Sequence, residues 1–394
     1  MSRRIIIVTG KGGVGKSVIS LATALKLLEH DYKVVLVSSD PAHTVLNYIE
    51  VKSKSDDVLN VCRNFDLICI DPVLEVMRKF KALSEYMLNW FRSRGVDEAL
   101  AYELAMLPSV TESMGLLKAL ELYENPNYDV VILDTVPSGE ALRLLYLPRI
   151  VSSVHKRLIR ASFTITKTAS KFLSLFVGCG EYFNRMISEE EGFFNVLEKL
   201  SQIIEKPEVT SVRVIANPDA SSIDVAIRSV GYAQTFGLNV DLAVLNKYIP
   251  REKSTELLDT WIKNQETYLK QLESSIHPIP IKVLPLFNEE LRGIEKLRLA
   301  GNIIYGDEDP AKVFYTGKVM NIKRLGAEYV VEFSLPSDIT DCLDIIKQGD
   351  ELIITLRSSI GLIEKILPLP VMLRTATPVR AEFERGKLII YFTR

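Results

Sequence analysis

The stretch Gly10-Lys11-Gly12-Gly13-Val14-Gly15-Lys16-Ser17 follows the apolar run Ile5-Ile6-Ile7-Val8 and leads into a helical pattern. It matches G-x-x-x-x-G-K-[ST] at every position, and a strand before it and a helix after it are the context of a phosphate-binding loop. Its glycines let successive backbone N–H groups converge on phosphate oxygens. We expect Lys16 to reach the β- and γ-phosphates of a nucleotide and the Ser17 hydroxyl to join a Mg²⁺ shell. The alternative is a glycine-rich turn that binds no ligand.

The composition limits the classes of partner. The 394 residues are enough for two or more domains, and 48 basic against 50 acidic residues create no overall field that would attract nucleic acid. No secretory leader precedes the first apolar run, and no apolar run has the length of a membrane span. The four cysteines are scattered without the spacing of a zinc site. We therefore expect a cytoplasmic protein that binds no nucleic acid.

Short β-branched runs alternate with longer helical patterns up to about residue 300. Near-continuous apolar strands separated by helices predict a doubly wound, mostly parallel α/β sheet that is covered on both faces. The predicted strands are Ile5 to Val8, Val34 to Val37, Leu67 to Ile70, Val130 to Leu133, Val212 to Ala216, Leu242 to Leu245 and Ile281 to Leu284.

Ligands of such sheets bind beyond the carboxyl ends of the strands, so the polar residues that follow each strand are candidates for the site. Asp40 follows the second predicted strand, and Asp134 follows the fourth. Both aspartates should lie at the edge that carries the phosphate loop, near Mg²⁺ and the γ-phosphate. Taken singly, each could instead be the N-cap of a helix.

Three motifs in this order resemble the ArsA-type ATPase family, which includes arsenite-pump ATPases and ATPases that target tail-anchored membrane proteins. They are K-G-G-V-G-K-S from Lys11, D-P-A-H from Asp40, and D-T-x-P-x-G-x-x-L-R-L-L from Asp134. The segment Asn246-Lys247-Tyr248-Ile249-Pro250 is similar to the family's adenine-binding N-K-x-x-P, and Pro285 opens a stretch that resembles its last block. The likeness covers roughly residues 3 to 310.

The resemblance implies ATP and Mg²⁺ as cofactors and a homodimer as the working unit. Two residues would take catalytic roles: Asp40 would polarise the attacking water, and Lys11 would reach the nucleotide of the partner subunit. Asp134 would hold Mg²⁺ together with Ser17. Asn246 would hydrogen-bond the adenine edge, although it could also be a turn residue after a strand. Pro285 would belong to the nucleotide-binding residues.

Two positions depart from the family's pattern. Glu140 stands where a histidine is common, and Asn47 stands where an aspartate is common. Both departures affect the expected coupling between the nucleotide and conformational change more than they affect phosphate binding.

Two helical insertions are expected, at roughly residues 74–121 and 150–206. The first carries a stripe of Met, Phe and Leu that is typical of the buried face of a helix. In the targeting ATPases, insertions at corresponding places build a groove for a client's transmembrane helix, a role that flexible methionine side chains suit. The second insertion contains a basic amphipathic stretch, 151–180, which suits a solvated surface helix, a partner that binds a helix in a groove, or a transient contact with a membrane or membrane receptor.

Beyond residue 310 the pattern changes to short strands and turns, which predicts an all-β sandwich over 311–394. Five strands are predicted there: Tyr329 to Phe333, Glu351 to Leu356, Ile363 to Leu367, Val379 to Phe383 and Leu388 to Phe392. Ala381-x-Phe383-x-x-Gly386-x-Leu388-x-Ile390 resembles the hairpin of α-crystallin (small heat-shock protein) domains. Such a domain is fused to the ATPase in one branch of the family.

These features together predict a homodimeric, Mg²⁺-dependent ATPase that captures or delivers hydrophobic clients, with tail-anchored proteins as one candidate class. An arsenite-transport subunit is the nearest alternative, but it usually carries two ATPase halves and a cysteine cluster. A stress chaperone with residual ATPase activity is a second alternative. A metabolic or partition ATPase with the same loop is a third.

Overall fold

The chain was analysed as a computed structural model that describes residues 3–40, 44–51, 58–71, 108–134, 199, 202–235, 237–253, 258–326, 328–335, 339–349, 351–358, 361–384 and 387–393. Its first eight strands are β1 (Arg4–Gly10), β2 (Val34–Ser38), β3 (Val58–Cys62), β4 (Phe65–Cys69), β5 (Val130–Asp134), β6 (Thr210–Ala216), β7 (Val240–Tyr248) and β8 (Ile281–Pro285). The helices that accompany them are α1 (Lys16–Leu28), α2 (Thr44–Tyr48), α3 (Pro108–Glu124), α4 (Ala220–Thr235), α5 (Asp259–Ile276) and α6 (Ile294–Tyr305).

These eight strands form one sheet in the order β3-β4-β2-β5-β1-β6-β7-β8. All neighbours are parallel except β3, which pairs antiparallel with β4 at one edge. The central strand β1 lies between β5 and β6, and its register places Val8 opposite Asp134. The phosphate loop after β1 and the aspartate that ends β5 therefore meet at the same edge.

The sheet is covered on both faces, as expected of near-continuous apolar strands. Side chains alternate across β1, so that Ile5 and Ile7 join a core with α3, α4 and α5, whereas Ile6 and Val8 join a core with α1 and α6. Burial of these two apolar layers holds α1, and with it the phosphate loop, against the sheet.

A buried ion pair links the sheet to the segment that follows α6. Arg213 on β6 lies beside Asp241 on β7, with Nε 3.4 Å from Oδ1, and both side chains are fully buried. Arg213 also donates to the Pro310 carbonyl oxygen at 2.6 Å and to the Tyr305 hydroxyl at 3.0 Å. The guanidinium thus has acceptors in both the sheet and the connecting segment, which fixes the start of that segment.

The C-terminal part is an antiparallel β-sandwich. Its strands are β9 (Met320–Leu325), β10 (Glu328–Ser334), β11 (Ile339–Gln348), β12 (Glu351–Ser358), β13 (Gly361–Pro368), β14 (Thr377–Glu384) and β15 (Lys387–Thr393), with the short helix α7 (Val371–Arg374) before β14. One sheet has the order β14-β15-β10-β9 and the other β11-β12-β13. Both sheets bury apolar side chains in a shared core, which includes Phe333, Ile354 and Ile390.

The sandwich packs on the ATPase unit through β13, which contacts α4 and α5. Arg228 of α4 forms an ion pair with Glu351 of β12 at 2.6 Å. The fully buried Lys365 of β13 donates from Nζ to the Ser274 carbonyl oxygen in the last turn of α5 at 3.2 Å. We call this contact region the joint.

All seven predicted strands of the α/β sheet are confirmed, as are the five predicted strands of the sandwich. Three strands were missed: β3, β9 and β11. The β11 sequence carries Asp341, Asp344 and Lys347 on an edge strand, where one face is open to solvent and the apolar pattern is weak.

Several predicted features lie wholly or partly outside the described residues. They include Glu140, the motif after Asp134, and most of both helical insertions. The described part of the first insertion, α3, is helical, and its Met114 and Leu117 are buried in the core under the sheet. For these two residues the buried-face alternative is correct. In the parts of the chain that the structure describes, no helix combines the length and the apolar character needed to cross a membrane.

Candidate nucleotide-binding site

A cavity of about 660 Å³ opens where the carboxyl ends of the central strands meet. Three groups of residues line it: the phosphate loop and start of α1, the ends of β2 and β5 with α2, and the ends of β7 and β8 with the turn that follows. They are Gly12, Gly13, Gly15, Lys16, Ser17, Val18, Asp40, Thr44, Tyr48, Asp134, Asn246, Lys247, Pro285, Leu286, Phe287, Asn288, Glu289, Glu290 and Leu291.

The phosphate loop has backbone geometry that requires glycine at two of its positions. Gly10 has φ 152° and Gly15 has φ 95°, both in the region that side chains disfavour. A Cβ on Gly10 would overlap the Ile215 carbonyl oxygen of β6, and one on Gly15 would overlap the Asn246 amide nitrogen. The loop is therefore pressed against β6 and β7, which directs its backbone toward the cavity.

Lys16 is one of two lysines in the cavity wall, the other being Lys247. The Nζ of Lys16 donates to the carbonyl oxygens of Gly10 at 3.3 Å and Lys11 at 3.2 Å, and the side chain is largely buried. Burial lowers the pKa of Lys16, while Asp134 and Asp40 oppose that shift. The ammonium is thus held at the base of the phosphate loop between two carboxylates.

Asp134 is a buried carboxylate whose oxygens lack partners of good geometry among the described residues. Burial raises its pKa to about 6, and the nearby Ser17 hydroxyl and Lys16 ammonium oppose the shift. Ser17 comes close to the carboxylate without completing a well-formed hydrogen bond. A buried carboxylate beside a hydroxyl and in need of a counter-charge fits the donor set that Mg²⁺ prefers.

Asp40 lies two residues beyond the end of β2 and lines the same cavity as the phosphate loop. Its Oδ2 accepts a hydrogen bond from the Thr44 hydroxyl at 2.6 Å, and the Thr44 backbone N–H points to the same oxygen at 3.4 Å. These two contacts tie Asp40 to the first residue of α2, and Asp40 also lines the cavity. The rest of the D-P-A-H motif, residues 41–43, lies outside the described residues.

Asn246 makes a contact that the sequence did not predict. Its amide nitrogen donates to the Val14 carbonyl oxygen of the phosphate loop at 2.8 Å, and its Oδ1 accepts from the Lys247 backbone N–H at 2.9 Å. Lys247 has φ 59°, and its Nζ donates to the Gly13 carbonyl oxygen at 3.2 Å. Two residues at the end of β7 thus donate hydrogen bonds to backbone carbonyl oxygens of the phosphate loop.

Pro285 ends β8 and begins the turn that lines the far side of the cavity. Sequence reasoning missed Tyr48. Lys247 and the turn from Leu286 to Leu291 lay in segments that resemble the family, but no role was predicted for them individually. The rule that ligands bind beyond strand ends could have found the turn, because it directly follows a predicted strand.

The remaining predicted residues occupy different places. Val14 is buried in the core beside α1, and Gly12 and Gly13 are exposed at the cavity mouth. Lys11 is partly exposed and stands outside the set of described residues that line the cavity. Asn47 is exposed on α2.

Comparisons with known proteins find similarity over both parts of the chain. The family model described as anion-transporting ATPase matches residues 3–306, and the model of an HSP20-like domain found in ArsA matches residues 326–392. A protein of Aquifex aeolicus, provisionally named arsenical pump-driving ATPase 1, is 32% identical over 99% of this chain and 100% of its own length. A provisionally named arsenical pump-driving ATPase of Chlorobaculum tepidum is 30% identical over 99% of this chain and 96% of its own. The ATPase get3 of Pyrenophora tritici-repentis is 26% identical over 75% of this chain and 88% of its own.

Proposed function

This chain belongs to the ArsA-type, anion-transporting ATPase family, and from that membership we propose that its ATP cycle controls a binding surface for hydrophobic client proteins. The chain is an ATPase with a C-terminal HSP20-like domain. We place the division between the two units at residue 310, between the end of α6 at Tyr305 and the start of β9 at Met320.

The observation that carries the catalytic part of the proposal is the convergence of Lys16, Asp40 and Asp134 on one cavity. Lys16 neutralises charge on the transferred phosphoryl group, which is the main demand of phosphoryl transfer. Asp40 orients and polarises the attacking water. Ser17 and Asp134 would hold Mg²⁺, which would supply further neutralisation of charge on the phosphate oxygens.

The working unit of the proposal is a homodimer in the cytoplasm, in which Lys11 reaches the nucleotide of the partner subunit. The position of Lys11 supports this role, since it is partly exposed and does not line the cavity of its own subunit. ATP favours the closed dimer by binding it more tightly than the open one.

Lys11→Ala should weaken ATP-dependent dimerisation, because it removes a cation from the subunit interface. We expect the dimer dissociation constant with ATP to rise at least about tenfold, the effect of roughly 1.4 kcal/mol. Analytical ultracentrifugation with ATP and without nucleotide measures it. Lys11→Arg, which keeps the charge, serves as the control, and an unchanged dimer equilibrium in Lys11→Ala would argue against the cross-subunit role.

The client part of the proposal rests on the HSP20-like domain, on the relative named ATPase get3, and on the Met- and Phe-rich insertion sequence. Flexible thioethers suit a surface that accepts varied apolar partners. A transient contact with a membrane or membrane receptor would complete delivery, and the basic stretch 151–180 is its candidate segment.

Photo-crosslinking tests the client proposal. Probes at Met87, Phe163 and Phe172 are exposed to a tail-anchored transmembrane segment and to an unfolded globular protein, each with ATP and with ADP. We expect crosslinks to the transmembrane segment that change with the nucleotide. Crosslinks to the unfolded protein alone would instead support a stress chaperone, and no crosslinks to either would contradict client binding at these positions.

Arsenite transport is the second candidate function, favoured by the relatives whose names contain arsenical pump-driving ATPase. Within the described ranges, Cys62, Cys69 and Cys342 are free thiols, and no group of His, Cys, Asp and Glu there is placed to hold a metal ion. Titrating the ATPase with arsenite distinguishes the two functions, because a transport subunit should hydrolyse ATP faster when the anion is added.

A further inference from the structure

We infer that Thr44 is a positioning residue that orients the Asp40 carboxylate for the attacking water, an inference that rests on the proposed role of Asp40. The Thr44 hydroxyl donates to Asp40 Oδ2 at 2.6 Å, and the Thr44 backbone N–H lies 3.4 Å from the same oxygen. Both residues line the nucleotide cavity.

The short hydroxyl–carboxylate distance marks a charge-assisted hydrogen bond, which is stronger and more directional than a neutral one. An ionised carboxylate offers about four lone-pair sites on its two oxygens. One bond from Thr44 therefore restricts rotation of the Asp40 side chain and leaves acceptor capacity for a water. A group that takes a proton from a bound water needs such a fixed orientation and a free acceptor site within hydrogen-bond reach of that water.

The backbone of Thr44 is itself held in place. Val45 and Leu46, the next two residues of α2, are buried in the core that α1 also joins. At the other end of α2, the Tyr48 carbonyl oxygen accepts from the Gly293 backbone N–H at 2.8 Å, directly before α6. Because α2 is fixed by packing and by this bond, the Thr44 hydroxyl has a defined position relative to the phosphate loop on α1.

The hydrogen bond between Gly293 and Tyr48 also connects α2 to the turn that precedes Gly293. Through Thr44, this connection extends to the Asp40 carboxylate. The turn that precedes Gly293 supplies Phe287 and Glu290 to the lining, and Tyr48 lines the cavity from α2. A nucleotide that moves this turn would shift α2 through the bond between Gly293 and Tyr48. Thr44 then carries that shift to Asp40.

Two substitutions at Thr44 test the hydroxyl directly. Thr44→Val keeps the shape of the side chain and removes the hydroxyl, whereas Thr44→Ser keeps the hydroxyl and removes a methyl group. We expect Thr44→Val to lower kcat about tenfold, the effect of one lost orienting hydrogen bond, with the KM for ATP unchanged within about twofold. Thr44→Ser should restore most of the rate.

Steady-state and single-turnover hydrolysis give the split between kcat and KM, and a thermal melt reports folding. A purely structural role would lower the melting temperature and leave kcat of the folded protein unchanged, which would overturn the inference. Equal losses in Thr44→Val and Thr44→Ser would overturn it too, because the hydroxyl would then not be the active feature. Thr44→Ala replaces Thr44→Val in the same comparison if the valine variant fails to fold.

The Asp40→Asn background separates failure of this inference from failure of the proposed function. If Thr44 acts through Asp40, adding Thr44→Val to Asp40→Asn should change single-turnover hydrolysis by less than about twofold. A full additional loss would overturn the positioning role. If Asp40→Asn abolishes turnover and Thr44→Val does not reduce it, only the role of Thr44 is wrong. If the Asp40→Asn variant hydrolyses ATP at the normal rate, the proposed role of Asp40 is wrong, and the inference about Thr44 is wrong as well.

Discussion

Asp40→Asn should lower the rate of ATP hydrolysis at least about 100-fold while ATP binding is preserved. An asparagine keeps the size of the side chain and can still accept the hydrogen bond that Thr44 donates to Asp40 Oδ2. It cannot take a proton from the attacking water. Lys16, Ser17 and the glycine backbone are untouched, so the phosphate contacts remain. Steady-state turnover and calorimetric titration with ATP measure the two quantities separately.

The chain offers a matched control for Asp40→Asn. Asp219 follows β6 in the way that Asp40 follows β2, and its Oδ1 accepts from the Ser222 backbone N–H at 2.9 Å. Asp219 does not line the cavity. Asp219→Asn should therefore turn over ATP normally. Near-normal turnover in Asp40→Asn as well would show that Asp40 only supports α2.

Lys365→Met should stabilise the protein near neutral pH, because it removes a charge that the joint buries without a carboxylate. Lys365 is fully buried, its Nζ lies 5.5 Å from the centre of the Phe333 ring, and none of the described carboxylates forms an ion pair with it. Burial lowers the pKa of Lys365 from 10.5 to about 7. The folded protein thus gives up a proton that the unfolded chain retains between these pH values.

The sign of the pH dependence follows from this difference. Between pH 10.5 and about 7, unfolding takes up a proton at Lys365, so the free energy of unfolding falls as the pH falls. The slope approaches roughly 1.4 kcal/mol per pH unit. Below about pH 7 both states bind the proton, and the slope from this group disappears.

Methionine removes this contribution and also the hydrogen bond to the Ser274 carbonyl oxygen. After about 1 kcal/mol for that bond is subtracted, we expect Lys365→Met to raise the free energy of unfolding by roughly 3 kcal/mol at pH 7 and roughly 1 kcal/mol at pH 9. Urea unfolding followed by circular dichroism at both pH values measures it.

Lys323→Met on β9 is the control, because the Lys323 side chain is 65% exposed. It should change the free energy of unfolding by less than about 0.5 kcal/mol at either pH. If Lys365→Met and the unsubstituted protein show the same dependence on pH, Lys365 keeps its charge in the folded state and the joint is more polar than the structure indicates.

The phosphate loop and the strands around it could be read from the sequence because their signals are local. Apolar β-branched runs, a glycine pattern and the first polar residue after a run each lie within a few positions. Gly10 to Ser17, Asp40 and Asp134 were found in this way, and the structure brings the side chains of Lys16, Ser17, Asp40 and Asp134 to one cavity.

Strands with weak local patterns were missed. The sequence of β3 contains Asn60, the strand is only partly buried, and it pairs antiparallel at the edge of a sheet that is otherwise parallel. Its pairing with β4 depends on the hairpin and on the neighbouring sheet more than on its own five residues.

The sequence by itself determined the α/β sheet, the phosphate loop, and the two carboxylates at the strand ends, because each depends on residues close together in the chain. Only the tertiary structure decided that Asn246 supports the phosphate loop through Val14, that Thr44 holds Asp40, and that Lys365 joins the sandwich to α5. The sequence left open that Asp40 bonds to the start of a helix, but the choice of the Thr44 hydroxyl as its partner depends on how packing orients α2. The contacts of Asn246 and Lys365 join residues 232 and 91 positions apart, and burial in the folded chain alone selects such partners.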